Sequence, residues 1–183
     1  MSDPNKTDPG HGTKRSSMAR LVESCSQFVN KRGIYLGRRS TKIHVALYRR
    51  TNGRLGGHLP AWPDARILLL DHVGARTGTH RTSPLMYHAD GDTIALAASK
   101  AGQPTHPAWF HNLKANPDTT IQIGARSHSV RARVATDAER NLLWPRFIEF
   151  FPSYDFYQRH AGDRKIPIVI LTPRSQGNFP AIC

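Results

Sequence analysis

Two arginines five residues apart, Arg76 and Arg81, flank a glycine turn in GARTGTHRTSPL (residues 74–85), among three threonines and a serine. Guanidinium forks take phosphate or carboxylate oxygens two at a time, and main-chain amides in a glycine turn add donors, so the pattern suits the grip of an anion. On this reading Arg76, Thr77 and the amides around Gly78 form one concave donor set, and Arg81 adds a second fixed cation. The competing reading is an ordinary polar hairpin turn.

A second set lies in AASKAGQPTHPAWFHNLKANP (residues 97–117). Ser99 and Lys100 leave the end of an apolar run, a Gly/Pro loop follows, and Trp109 and Asn112 stand three apart, hence on one helix face. A planar heterocycle fits across Trp109 or Ser99 with Lys100 meeting its anionic part; the alternative makes Trp109 core and Lys100 a solvated charge. In the third set Phe151, Tyr154 and Tyr157 recur at three-residue intervals. Such a stripe is usually core, but phenols pack and hydrogen-bond at once, which suits a pocket wall.

Other chemistries lack their patterns. His72, His80 and His88 are eight apart and His106 and His111 five apart, neither a recurrent ligand spacing, and with no HExxH no metal is expected. Cys25 and Cys183 form no CxxC, so neither a disulfide framework nor structural zinc is expected, and a reducing cytosol is the default. GxSxG, GxGxxG after a strand and GxxxxGK[ST] are all missing.

The formal net charge is +13, and most of the Lys/Arg excess lies in residues 1–64. That excess favours phosphates of any origin: nucleic acid, anionic lipid or an anionic small molecule. A nucleic-acid binder would carry a continuous basic face with aromatics interleaved, whereas here the N-terminal charge is separate from the aromatic segments; no nucleic-acid partner is expected. No apolar run approaches the roughly 20 residues of a membrane span, and the N-terminus lacks a signal-peptide core. The expected location is cytoplasmic, with peripheral contact at a membrane left open.

The elements that must position these residues follow from periodicity and turn chemistry. Residues 1–17 read as a disordered tail and 18–64 as a basic helical segment with a linker. Its two amphipathic helices run from Met18 to about Gly33 and from Ser40 or Thr41 to Asn52-Gly53. Packing against the main domain is favoured for both helices over docking on an anionic membrane. ARILLLDHV, RTSPLMYHA, TIALAAS, TTIQIG, HSVRARVAT and IPIVILTP read as six strands. Val130, Ala132 and Val134 should face inward. One helix follows Pro107, and a longer one is capped by Thr136 and kinked or divided at Pro145. The fold class is α+β: a six-stranded, mostly antiparallel barrel over residues 65–174, with a tail at 175–183.

LLLDHVGARTGTHRTSPLMYHADGD, AASKAGQPTHPAWFHNLKANPDTTIQIG, RARVATDAERNLLWPRFIEFFPSYDFYQ and RKIPIVILTP resemble, in order and spacing, the deazaflavin-dependent nitroreductase and quinone reductase family of actinobacteria, over about residues 41–173. The resemblance implies an FMN-binding-like split β-barrel that binds reduced coenzyme F-420, a deazaflavin with a phosphate, lactate and oligoglutamate tail. It implies hydride transfer to a quinone, nitroaromatic or related electrophile. The family's tail-binding positions fall on Ala75, Arg76, Thr77, Arg81, Thr82, Ser83, Pro84, Leu85 and Met86. Its ring and linker contacts fall on Ala97, Ala98, Ser99, Lys100, Ala108, Trp109 and Asn112, and its pocket tyrosines on Tyr154 and Tyr157, with Tyr154 also against the cofactor. Tyr154, Tyr157 and Ser99 are thereby the candidates for proton delivery. The chain departs from the pattern at Ala75, where a basic residue is common, and at Met86 and Phe151, where some members have tyrosine. FMN in the same fold is the alternative cofactor; its single phosphate would leave part of the basic clamp without a counter-charge. No oligomeric state follows from these residues.

Overall fold

The computed structural model describes residues 38–59, 62–174 and 179, all within one compact unit, Tyr35–Cys183. The expected tail at 1–17, the helix from Met18 and the C-terminal tail apart from Phe179 lie outside the described residues.

Helix α1 (Arg38–Arg50) ends at Asn52-Gly53 as the sequence suggests. Both residues are left-handed (φ 52° and 77°), and the Gly53 amide returns to Tyr48 O at 2.8 Å. The helix docks through Tyr48, which is 1% exposed. Its phenol donates to Ile67 O (3.1 Å) and accepts from the Gly124 amide (3.0 Å).

The described strands are β1 (His58–Leu59), β2 (Trp62–Val73), β3 (His80–Met86), β4 (His88–Asp90), β5 (Thr93–Ala97), β6 (Asp118–Ile123), β7 (Arg126–Val134) and β8 (Ile168–Pro173). Their order is β1-β2-β6-β7-β8-β5-β4, with β3 on β2, and all pairings are antiparallel. The expected single strand RTSPLMYHA is two: it breaks at Tyr87, whose amide bonds Arg66 O at 3.1 Å. The first half pairs with β2 and the second with β5, so this one segment joins both ends of the curled sheet and makes it a split barrel. That break and the two-residue β1 bring the expected six strands to eight.

β8 reads as a continuous apolar run because both of its faces are covered. Val169 and Leu171 enter the barrel core with Leu68, Ile94, Leu96, Ile121 and Val130. Ile168 and Ile170 enter an outer core beneath the helices. The two-residue side-chain period divides one strand between two cores. On β7 Val130 and Ala132 are buried as expected, but Val134 is 43% exposed, where the strand runs out past the core.

Helix α2 (Ala108–Ala115) plugs the barrel with Trp109, Phe110 and Leu113. Helix α3 (Asp137–Phe150) starts on a capping box between Thr136 and Glu139. Of the kink or division expected at Pro145, the division does not occur: the helix continues through it. The proline ring costs the Asn141 carbonyl its intrahelical donor, but both residues are exposed, so water can satisfy the carbonyl. The division comes at Phe151-Pro152, after which α4 (Ser153–His160) carries the tyrosines. Phe179 is buried against the barrel core, its ring 5.4 Å from His128.

Candidate active site

The basic turn between β2 and β3 is closed on itself. Gly74 N donates to Thr79 O (2.9 Å), and Thr77 N and Gly78 N donate to Gly74 O (3.2 and 2.8 Å). Thr79 N reaches Thr77 Oγ1 (3.4 Å), and Ala75 N donates to Asn112 Oδ1 (2.9 Å). The expectation that amides around Gly78 form a concave anion-binding set is therefore corrected for Thr77 and Gly78, whose amides donate within the hairpin turn, while the Ala75 amide goes to Asn112. What faces solvent is side chain. Arg76 and Arg81 are exposed, and their guanidinium groups make no hydrogen bond or ion pair among the described residues.

Further along β3 the hydroxyls have partners. Thr82 Oγ1 donates to Asp71 Oδ1 (2.5 Å), which also receives Arg49 Nη2 from α1 (3.0 Å). Ser83 Oγ lies 3.0 Å from His72 Nε2. Pro84, Leu85 and Met86 are half-buried; Leu85 packs against the barrel core and Met86 against the outer core.

Asn112 is 7% exposed and spans two elements. Because Ala75 N–H can only donate, Asn112 Oδ1 must face it. The Asn112 Nδ2 group then donates to His72 Nδ1 (2.8 Å), leaving the hydrogen of His72 on Nε2. Burial first, and the Arg81 charge second, lower the His72 pKa from 6.5 to about 4. The four-member chain Ala75–Asn112–His72–Ser83 thus fastens the arginine turn to α2. The sequence reading considered His72 only as a metal ligand; no local pattern marks its role.

The second set forms a tight loop after β5. Ala97 is half-buried and Ala98 buried. Lys100, Ala101 and Gly102 are all left-handed, with φ 50°, 51° and 75°. A Cβ on Gly102 would stand 2.8 Å from Tyr157 O, so this glycine is required by both conformation and contact. Lys100 Nζ donates to Thr105 Oγ1 (2.6 Å). Ala108 is exposed at the start of α2, whereas Trp109 is 7% exposed, within the barrel core.

The third set is an aromatic cluster. Tyr154 is 2% exposed, with ring centroids of Trp144, Phe147, Phe150, Phe151 and Tyr157 within 6.0 Å. Burial, then Tyr157, push its phenol far above the usual range, so it stays protonated. Tyr157 is half-buried. The structure therefore joins the basic turn to α2 through Asn112, and the Ser99–Gly102 loop to α4 through Gly102.

The sequence reading also missed Arg140 and Gln158. Arg140 donates to Ile166 O and Gln158 Oε1, both at 2.8 Å, bracing α3 against α4.

A family model described as F420H(2)-dependent quinone reductase matches residues 40–173. An F420H(2)-dependent quinone reductase of Mycobacterium tuberculosis is 41% identical over 143 residues, which are 76% of this chain and 94% of that one. A solved structure described as an F420-H2 dependent reductase aligns with TM-score 0.53 and 38% identity, over 57% of this chain and 92% of its own. Another, described as a domain-swapped dimer, aligns with TM-score 0.56 and 33% identity, over 73% and 95%. With four ordered motif blocks on a split barrel and a family match over most of the described chain, this protein belongs to the F420H(2)-dependent quinone reductase family.

Proposed function

We propose that this oxidoreductase passes a hydride from reduced coenzyme F-420 to a quinone. The observation that carries the reading is the pair of exposed guanidinium groups, Arg76 and Arg81, beside a turn fastened at its base by Asn112. Two uncompensated cations on a rigid turn suit an extended polyanion, which the coenzyme's tail is and a single phosphate is not. The donor set therefore fits the group.

Arg76, Arg81 and the Thr77 hydroxyl hold the tail. Ser99, Lys100 and the left-handed loop receive the ring, and α4 closes the acceptor side with Tyr157 and the Tyr154 ring. When bound, the deazaflavin supplies the hydride. A quinone that takes a hydride needs one proton to become the hydroquinone, and the Ser99 hydroxyl, a tyrosine hydroxyl or water delivers it. Tyr154 donates a hydrogen bond to the acceptor and is not the proton's source, because its buried phenol does not ionise.

Fluorescence titration with coenzyme F-420, a tail-truncated form and FMN tests the reading. The full coenzyme binds most tightly and truncation weakens it; equal or tighter FMN binding overturns it.

A second reading concerns membranes. No described helix is long and apolar enough to cross one. On α1, however, Ile43 and Leu47 are 69% and 42% exposed, beside Arg39, Lys42 and Arg50. That face suits peripheral contact with anionic lipid, from which a membrane-dissolved quinone would be within reach.

A further inference from the structure

Arg164 lies four residues beyond α4 and has no part in the clamp or pocket described above. Its guanidinium donates through Nε and Nη2 to Gln103 O (3.1 and 2.7 Å) and through Nη2 to Ser99 O (2.7 Å). Through Nη1 it reaches Ala98 O (3.0 Å) and His106 Nδ1 (3.2 Å). All these partners belong to the segment containing Lys100, Ala101 and Gly102.

Two consecutive non-glycine residues with φ near +50° are strained, and such strain persists only where the surroundings over-determine it. Arg164 supplies that constraint from one side by turning three carbonyls onto a single cation. The Tyr157 backbone, against Gly102, supplies it from the other. Arg164 is itself fixed: Gln158 Nε2 donates to Arg164 O (2.9 Å), and Gln158 Oε1 accepts from Ile166 N (2.9 Å).

We propose that Arg164 is a positioning residue: it holds residues 98–103 in the left-handed shape that receives coenzyme F-420 and couples this loop to α4, which carries Tyr154 and Tyr157. The inference rests on the cofactor reading above. A lysine cannot substitute, because one ammonium does not reproduce a planar fork of five donors.

The test uses full-length Arg164→Ala and Arg164→Lys with two readouts. The first is amide exchange in cofactor-free protein at Gly102 and Gln103, whose N–H groups bond Ser99 O and Lys100 O within the turn. Exchange there should rise about tenfold or more in both variants, while the β5–β8 ladder stays protected. The second is affinity for coenzyme F-420, whose Kd should rise about 10- to 100-fold. Added guanidinium ion should restore part of it in Arg164→Ala. Arg131→Ala, which removes an exposed partner of Asp118, should change neither. Wild-type exchange at both amides in folded Arg164→Ala overturns the proposal, as does faster exchange with unchanged Kd. If Arg164→Ala does not fold, Arg164→Lys decides by the same readings. Were the unmodified chain to bind no coenzyme F-420 while the variants' loop loosened, the cofactor reading would fall and the loop-holding role would stand.

Discussion

Asn112 and His72, forty residues apart in sequence, meet in a buried 2.8 Å hydrogen bond in which Asn112 Nδ2 donates to His72 Nδ1. A protonated His72 would set an N–H against that NH2 group. The contact therefore excludes the imidazolium form, in the same direction as the burial that lowers its pKa.

That exclusion has a pH signature. The folded pKa of about 4 lies below the ordinary 6.5, so between these values the unfolded chain binds more protons, and stability falls as pH falls. From pH 7 to 5 His72 should account for a loss of about 2 kcal/mol. His88, His106 and His128 are lowered too, so the wild-type slope is a sum. Urea unfolding of wild type and His72→Gln at both pH values isolates the difference; parallel slopes would refute the assignment.

Asn112→Ala leaves the Ala75 amide and His72 Nδ1 without their partner. The expected cost is about 2–3 kcal/mol of stability. Weaker binding of coenzyme F-420 should accompany it as the arginine turn loosens. Denaturant midpoints and a fluorescence titration check both halves.

Arg81→Ala should weaken coenzyme binding by about 1.5–3 kcal/mol, the worth of a charge-assisted hydrogen bond. Turnover should largely recover at saturating cofactor, since a tail contact contributes uniform binding. The variant should also discriminate less between full and tail-truncated coenzyme. Unchanged affinity would remove Arg81 from the clamp.

Tyr154→Phe keeps the ring among its aromatic neighbours and removes one hydroxyl. Cofactor affinity should stay near wild type, while quinone turnover falls or acceptor preference shifts. Steady-state kinetics over several quinones and a nitroaromatic decide it, and silence with every acceptor would take the hydroxyl out of the reaction.

For the α1 face, vesicles rich in anionic lipid should sediment the protein at low salt and release it as salt rises. The double variant Ile43→Ser with Leu47→Ser should sediment less, and equal sedimentation would reject this face as the contact.

Most of the strand segments, the turns between them and the stop of α1 are legible in the residues alone. The sequence also carried the family, through four ordered blocks. These are local signals: alternation of side chains, glycines where φ is positive, a capping residue three before a glutamate. The tertiary structure decided where the turn's amides are spent, how the break at Tyr87 lets one segment join both ends of the sheet, and which residues hold the site. Asn112 with the amide of Ala75, and Arg164 with the carbonyls of Ala98, Ser99 and Gln103, are partnerships across 37 to 66 residues. Hydrogen bonds between main-chain groups and distant side chains leave no periodicity in the sequence, because any residue supplies the carbonyl or the amide. Pro145 shows the converse. Its local signal for a break is strong, but an exposed carbonyl that water can satisfy lets the packed face of α3 carry the helix through.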